Sequence, residues 1–272
     1  MDDIKLLGLQ RAEFQRAEKL QIWAGRVQII IVFVSILCVM IQENNLVYAL
    51  SIVSILLALA WLYISEQSKA SHSTAERARR AIVIRNGLGI QLSAKSYSDL
   101  IMCFKANSNS AKQWEDKEYF KSESEYGNRK LAEIIEESAF WSKFLLREYA
   151  KKTWLIFAFV LAMSVISLFL VPLFDSSELG KIIGQILCLI LMWLITGSLF
   201  SKSIKLTSSY TAVDSIEERL NSIIQSGNVK EDILIYMCDY NSIIEGTPVI
   251  PSKIYLKNKD RLNALWRERN ER

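Results

Sequence analysis

Between Thr153 and Phe200 the sequence runs TWLIFAFVLAMSVISLFLVPLF, then DSSELGK, then IIGQILCLILMWLITGSLF. The flanking runs are 22 and 19 residues long, and Cys188 is their one ionisable side chain. A helix needs about 20 mostly apolar residues to cross a hydrocarbon layer roughly 30 Å thick. A helix on a soluble core keeps a polar stripe, whereas these runs are apolar all round, so lipid is the solvent they fit. The polar break between them is long enough only for a tight turn. The stretch reads as a helical hairpin through a membrane.

The same layout occurs once upstream. Val27–Gln42 is a short first span that can extend back through Trp23, with Arg26 snorkelling to the interface. Glu43, Asn44 and Asn45 make the turn, and Leu46–Ser65 is the second span, with Trp61 and Tyr63 at its interfacial end. The expected fold class is an all-α membrane protein. Two transmembrane helical hairpins, four spans in all, carry a helical cytoplasmic insert and a helical cytoplasmic C-terminal tail. The segments are a juxtamembrane helix (1–26), hairpin 1 (27–65), the insert (66–152), hairpin 2 (153–200) and the tail (201–272). An apolar content of 51% fits a membrane protein with substantial polar parts.

Charge placement sets the orientation. Of 33 Lys and Arg residues, Lys181 alone falls in a hairpin turn. The rest flank or lie beyond the spans, as Arg16, Lys19, Arg26, Lys69, Arg147, Lys151, Lys152, Lys202 and Lys205 do. Basic residues beside spans mark the cytoplasmic side, so both termini and the insert are expected there. No cleavable signal peptide is expected, because the first apolar run follows 26 residues carrying nine charges. The four cysteines form no CxxC pair and read as unpaired packing residues.

Residues 4–26 read as a helix lying in the headgroups or packed on neighbouring subunits. Within it QRAE occurs at 10–13 and at 15–18, a five-residue spacing that fits no structural period. In the insert, Glu66–Ile84 continues the second span until Gly87 and Gly89 interrupt it. Its 16 basic and 12 acidic residues make a mixed-charge surface, which argues against a nucleic-acid partner. From Asn128 a regular helix runs into the third span. In the tail, Leu206, Tyr210, Val213, Glu217, Leu220 and Ile224 form a seam with one acidic misfit, suited to a coiled coil or to packing on the insert. Gly227 stops that helix, Asn228 and Glu231 suggest a capping box, and a helix over Val229–Glu245 follows. Gly246, Pro248 and Pro251 then enforce a turn before a charged helix from Ser252.

Chemistry of the catalytic kind finds no foothold. His72, the single histidine, has no metal-ligating neighbour at a suitable spacing, so no metal site is assigned. Gly87-Leu88-Gly89 lacks the third glycine of a dinucleotide loop. No GxSxG, P-loop or HExxH occurs, and adjacent Glu136 and Glu137 face different ways on a helix. The expectation is a protein that is not an enzyme, with no catalytic residues and no cofactor. Polar residues within the spans are the sharper candidates: Ser51 and Ser54, Ser164 and Ser167, then Gln185, Cys188 and Thr196. They suit either close helix packing or the lining of a water-filled path in an assembled homo-oligomer. With no charge in any span, a proton-coupled transporter is disfavoured. In the insert, Trp114, Tyr119, Arg129 and Lys130 could stack on and pair with a nucleotide.

Two hairpins around an insert, the N-terminal LLGLQRAEFQRAEKLQ and a tail ending YNSIIEGTPVIPSKIY resemble the SMODS-associated four-transmembrane effectors of bacteria. Pro248, Ile250, Pro251 and Tyr255 match that family's P-x-[VI]-P-x-x-x-Y ending. The resemblance implies a pore-forming effector of anti-phage defence in the inner membrane. Its partners would be the lipid bilayer, further copies of itself, and a nucleotide second messenger or its synthase, with a cyclic oligonucleotide as a possible ligand. A membrane-anchored scaffold or sensor, whose spans only tether the rest, stands as the alternative.

Overall fold

The structure, a computed structural model, describes residues 3–41, 43–112, 114, 120–170, 177–196, 199–227, 229–230 and 232–270. All regular structure among the described residues is helical: α1 (Asp3–Met40), α2 (Asn44–Leu88), α3 (Ala94–Cys103), α4 (Ser108–Lys112), α5 (Asn128–Leu170), α6 (Ser177–Thr196), α7 (Leu199–Ser226), α8 (Ile233–Glu245) and α9 (Ser252–Asn270). Four stretches of helix, in α1, α2, α5 and α6–α7, are long and apolar enough to cross a membrane. The protein is therefore an all-helical chain with four candidate membrane spans.

The chain forms two compact units, one of residues 20–67 and 150–205 and the other of residues 1–19, 68–149 and 206–272. The first is the span unit. Its apolar side chains face outward, and Phe33, Leu56, Leu155, Phe159 and Met192 are each more than half exposed. The most apolar window of α2 buries none of its residues against the rest of the chain. That inversion of the usual pattern is what a lipid solvent permits. Trp154, at the start of the third span, meets Phe200, at the end of the fourth apolar run, with ring centroids 6.1 Å apart. This contact pairs the two spans antiparallel. Ser177–Lys181 of the predicted turn are already helical, in α6; Asp175 and Ser176 lie outside the described residues.

The second is a helical unit with an ordinary apolar core. Leu6, Leu7, Ala78, Ala81, Ile82 and Leu100 form one buried cluster, joining α1, α2 and α3. The α1 N-terminal segment is thus core: it packs within its own chain, where the sequence suggested headgroups or neighbouring subunits. α1 and α2 run antiparallel, since Ser68 Oγ donates to the Ala17 carbonyl at 2.8 Å and the Phe14 and His72 rings lie 5.7 Å apart. α2 already begins at Asn44, so Asn44 and Asn45 of the expected turn are helical; Gln42 lies outside the described residues.

α2 also runs further than predicted, to Leu88. Gly87 stays helical, and it is Gly89, at φ +72°, that ends the helix with its N–H on the Arg85 carbonyl at 2.9 Å. α5 brings Leu131, Ile134, Ile135 and Leu146 into the core, and α7 adds Leu206, Val213 and Leu220, all at 1% exposure or less. The seam of α7 accordingly packs within the chain's own helical unit. Gly227, at φ +71°, stops α7 as expected. α8 begins at Ile233, four residues later than the sequence suggests; Asn228 and Glu231, the proposed capping pair, lie outside the described residues.

Candidate functional site

In the span unit three of the four candidate serine hydroxyls bond to their own helices. Ser51 Oγ donates to the Val47 carbonyl (2.8 Å), Ser164 to Val160 (2.9 Å) and Ser167 to Met163 (2.9 Å). Each bond closes on the helix's own preceding turn, which satisfies a hydroxyl without water. Ser164 is buried, Ser54 and Ser167 are half-buried, and Ser51, Gln185 and Cys188 are exposed. Thr196 is the last residue of α6.

The insert candidates are dispersed. Arg129 pairs with Glu133 at 3.2 Å, one turn along α5, and the Lys130 ammonium lies 4.9 Å from the Tyr126 ring centroid. Tyr119 lies outside the described residues. Trp114 instead joins the tail motif: the Arg11 guanidinium is 5.8 Å from the Trp114 ring centroid and 6.0 Å from that of Tyr255. Tyr255 also lies 5.8 Å from Trp141 of α5. Pro248, Ile250 and Pro251 are half-buried in the connection to α9. The Pro251 carbonyl accepts the Ile254 N–H at 2.8 Å and so opens α9.

Sequence reasoning passed over the buried ionic groups that tie the helical unit together. The two QRAE glutamates serve two different elements. Glu13, fully buried, accepts the backbone N–H groups of Lys105 (3.0 Å) and Ala106 (2.7 Å) after α3. Glu18 accepts the Ser252 N–H (3.0 Å) and hydroxyl at the start of α9. A second cluster centres on Arg79 of α2. Its guanidinium pairs with Glu76 (2.8 Å) and donates to the Tyr240 hydroxyl (3.0 Å) and Asn241 Oδ1 (3.1 Å) of α8. The Tyr240 oxygen reaches on to Ser142 Oγ (2.8 Å) and donates to the Ser138 carbonyl (3.1 Å) of α5. Arg80 pairs with Glu245, which also accepts from Ser73 at 2.9 Å. His72, which a polar sequence context places at the surface, sits 3.6 Å from Glu76 and is mostly buried.

A third layer joins α5, α7 and α9. Glu217, the acidic misfit of the α7 seam, is 2% exposed. It pairs with Lys143 at 2.7 Å and with Arg269; Lys143 also holds Asp214 at 2.9 Å, and Arg269 holds Glu136 at 2.6 Å. Burial pushes the Glu136 carboxyl up to about 7 against the pull of Arg269, with Glu217 and Glu133 adding to the rise. Burial opposes the Lys143 charge, but its hydrogen bonds to Glu217 and Asp214 outweigh that and hold its pKa above the usual lysine value. Neighbouring Glu137, also raised by burial, turns to a different partner, the Lys121 N–H at 3.2 Å.

No family model, curated protein or solved structure matches the chain. The helical unit carries buried ionic layers between its helices, and in the span unit Ser51, Ser164 and Ser167 bond to their own helices. Among the described residues, no group of three His, Cys, Asp or Glu side chains could hold a metal ion.

Proposed function

We propose that this protein is a homo-oligomeric, membrane-permeabilising effector of a bacterial defence system, gated by a ligand or partner acting on its helical unit. The observation that carries this reading is the length of α1, α2 and α5, at 38, 45 and 43 residues. Each is one unbroken helix with a candidate span at one end and residues of the helical unit at the other. Such rods can carry a rearrangement of ionic layers into the spans, because a packed helix moves as a body. Four spans enclose no wide channel, so copies must assemble, and the outward apolar surface of α2 is available for that. A cyclic oligonucleotide is the activator this reading favours, and no catalytic step is assigned to the protein.

One observation favours the tether reading instead. Ser51, Ser164 and Ser167 spend their hydroxyls on their own helices, so the spans are at ease in lipid with no water path. The two readings separate on membrane potential. Cells co-expressing the chain with a cyclic-oligonucleotide synthase are expected to depolarise and to admit a normally excluded dye. Ser54→Leu and Gln185→Leu should blunt that response under the pore reading. A retained potential, once second-messenger synthesis is confirmed, contradicts permeabilisation. Depolarisation that survives both substitutions contradicts a path lined by these residues.

A further inference from the structure

We infer that the lysines bracketing hairpin 2 form a collar that binds the phosphate headgroups of anionic phospholipids. The collar belongs to the span unit alone, on α5 from Ala150 to Phe157 and on α7 from Leu199 to Lys205. Trp154 and Phe157 both meet the Phe200 ring, with centroids 6.1 and 5.3 Å apart, and this fixes how the antiparallel helices align. A helix rises about 1.5 Å per residue, so counting outward from that contact brings Lys205 level with Ala150 and Lys151. Lys202 comes level with Thr153 and Trp154. Lys151, Lys152, Lys202 and Lys205 therefore lie within a slab about 5 Å deep.

The neighbours of that slab set its depth in a bilayer. Lys151, Lys152 and Lys205 are exposed and Lys202 is half-buried. One turn further along α5 the outward residues become apolar, with Leu155 at 72% and Phe159 at 65% exposure. Trp154, 36% exposed, stands at the change, and tryptophan collects at the headgroup level of a membrane. From that level a lysine stem covers apolar surface while its ammonium group reaches water and the phosphates.

Nothing along these two helix segments offsets the lysines. Residues 150–157 and 199–205 contain no Asp or Glu. The next charges along α5 are Arg147 and Glu148, one of each sign, and along α7 the next is Asp214, more than two turns past Lys205. The corresponding flanks of hairpin 1 add Arg26, 4.9 Å from the Trp23 ring centroid, and Glu66, again one of each sign. A zwitterionic headgroup brings its own cation to such a collar, whereas a phosphatidylglycerol headgroup brings only the phosphate. Each lysine near an anionic lipid surface is worth about fivefold in affinity. The collar serves a chain that conducts and a chain that only tethers alike.

Tryptophan quenching tests it on the full chain reconstituted in phosphatidylcholine vesicles, doped with brominated phosphatidylglycerol or with brominated phosphatidylcholine. The share of Trp154 is obtained by difference from Trp154→Phe. Phosphatidylglycerol should be favoured at least about tenfold at low salt, and about 0.5 M salt should remove most of that preference. Lys151→Gln, Lys152→Gln and Lys205→Gln together should abolish it, while Lys181→Gln, in the hairpin turn, should leave it intact. Equal quenching of the wild-type chain by the two probes, or a preference that survives the triple substitution, overturns the proposal. Should the triple variant not fold, the salt titration decides: a preference indifferent to salt overturns it. Inorganic phosphate at matched ionic strength should not compete, and competition would assign the lysines to free phosphate and overturn the lipid site. Absence of quenching by either probe would remove the spans and the collar with them, whereas equal quenching removes the collar alone.

Discussion

Gly87 shows how tightly one position can be specified. A Cβ there would stand 2.8 Å from Leu131 Cδ1 and 2.9 Å from the Leu131 backbone Cα. The Gly127 N–H also donates to the Gly87 carbonyl at 2.9 Å, so α2 and the start of α5 touch backbone to backbone. Gly87→Ala must push these helices away from each other, at a cost of about 1–3 kcal/mol. The check is exchange protection of the α5 residues 131–135, expected to fall with little change in the spans. From sequence this glycine reads as a helix break, because a missing side chain looks alike at a stop and at a close approach. The QRAE glutamates were illegible for a related reason. Five residues advance a helix by about 140°, so Glu13 and Glu18 point to different elements, and a face-by-face reading discards the repeat. Glu217 did signal: a carboxylate inside an apolar seam is tolerable only with buried cations, and Lys143 and Arg269 are those cations.

Among the elements, α9 owes its start to α1. The Glu18 carboxylate accepts the Ser252 N–H, placing a negative charge where the helix N-terminus presents free donors. Glu18→Ala should cost α9 docking about 1 kcal/mol, read as roughly fivefold faster exchange over residues 252–258 with α8 unaffected. The motif that the sequence offered as a family signature works locally as structure: Pro251 opens α9, and Tyr255 settles against Trp141 beside Arg11. Helix identities were legible wherever the chain punctuates itself, as at Gly89 and Gly227 with positive φ. The destination of the first helix was not. Its apolar positions announce that it is buried, but nothing along one strand of sequence says against what, and the partners lie at Ala78–Ile82 and Leu100.

At the scale of the whole molecule, lipid makes the hairpins legible. An apolar run needs no partner to explain it, so the four candidate spans could be placed from sequence alone, while every ionic layer required a partner far along the chain. The outward faces of the spans, with Phe33, Leu56 and Leu155 open, demand an apolar surrounding. The placement of basic residues in the sequence predicts both hairpin turns on one side of that membrane and both termini with residues 66–152 on the other, in the cytoplasm. Labelling with a membrane-impermeant maleimide tests it directly, in intact cells and after lysis, on a chain whose Cys38 and Cys188 are replaced by Ser. Glu43→Cys and Lys181→Cys should label in intact cells, whereas Cys238, exposed on α8, should label only after lysis. Labelling of Cys238 in intact cells, or protection of both turn cysteines until lysis, would contradict the account.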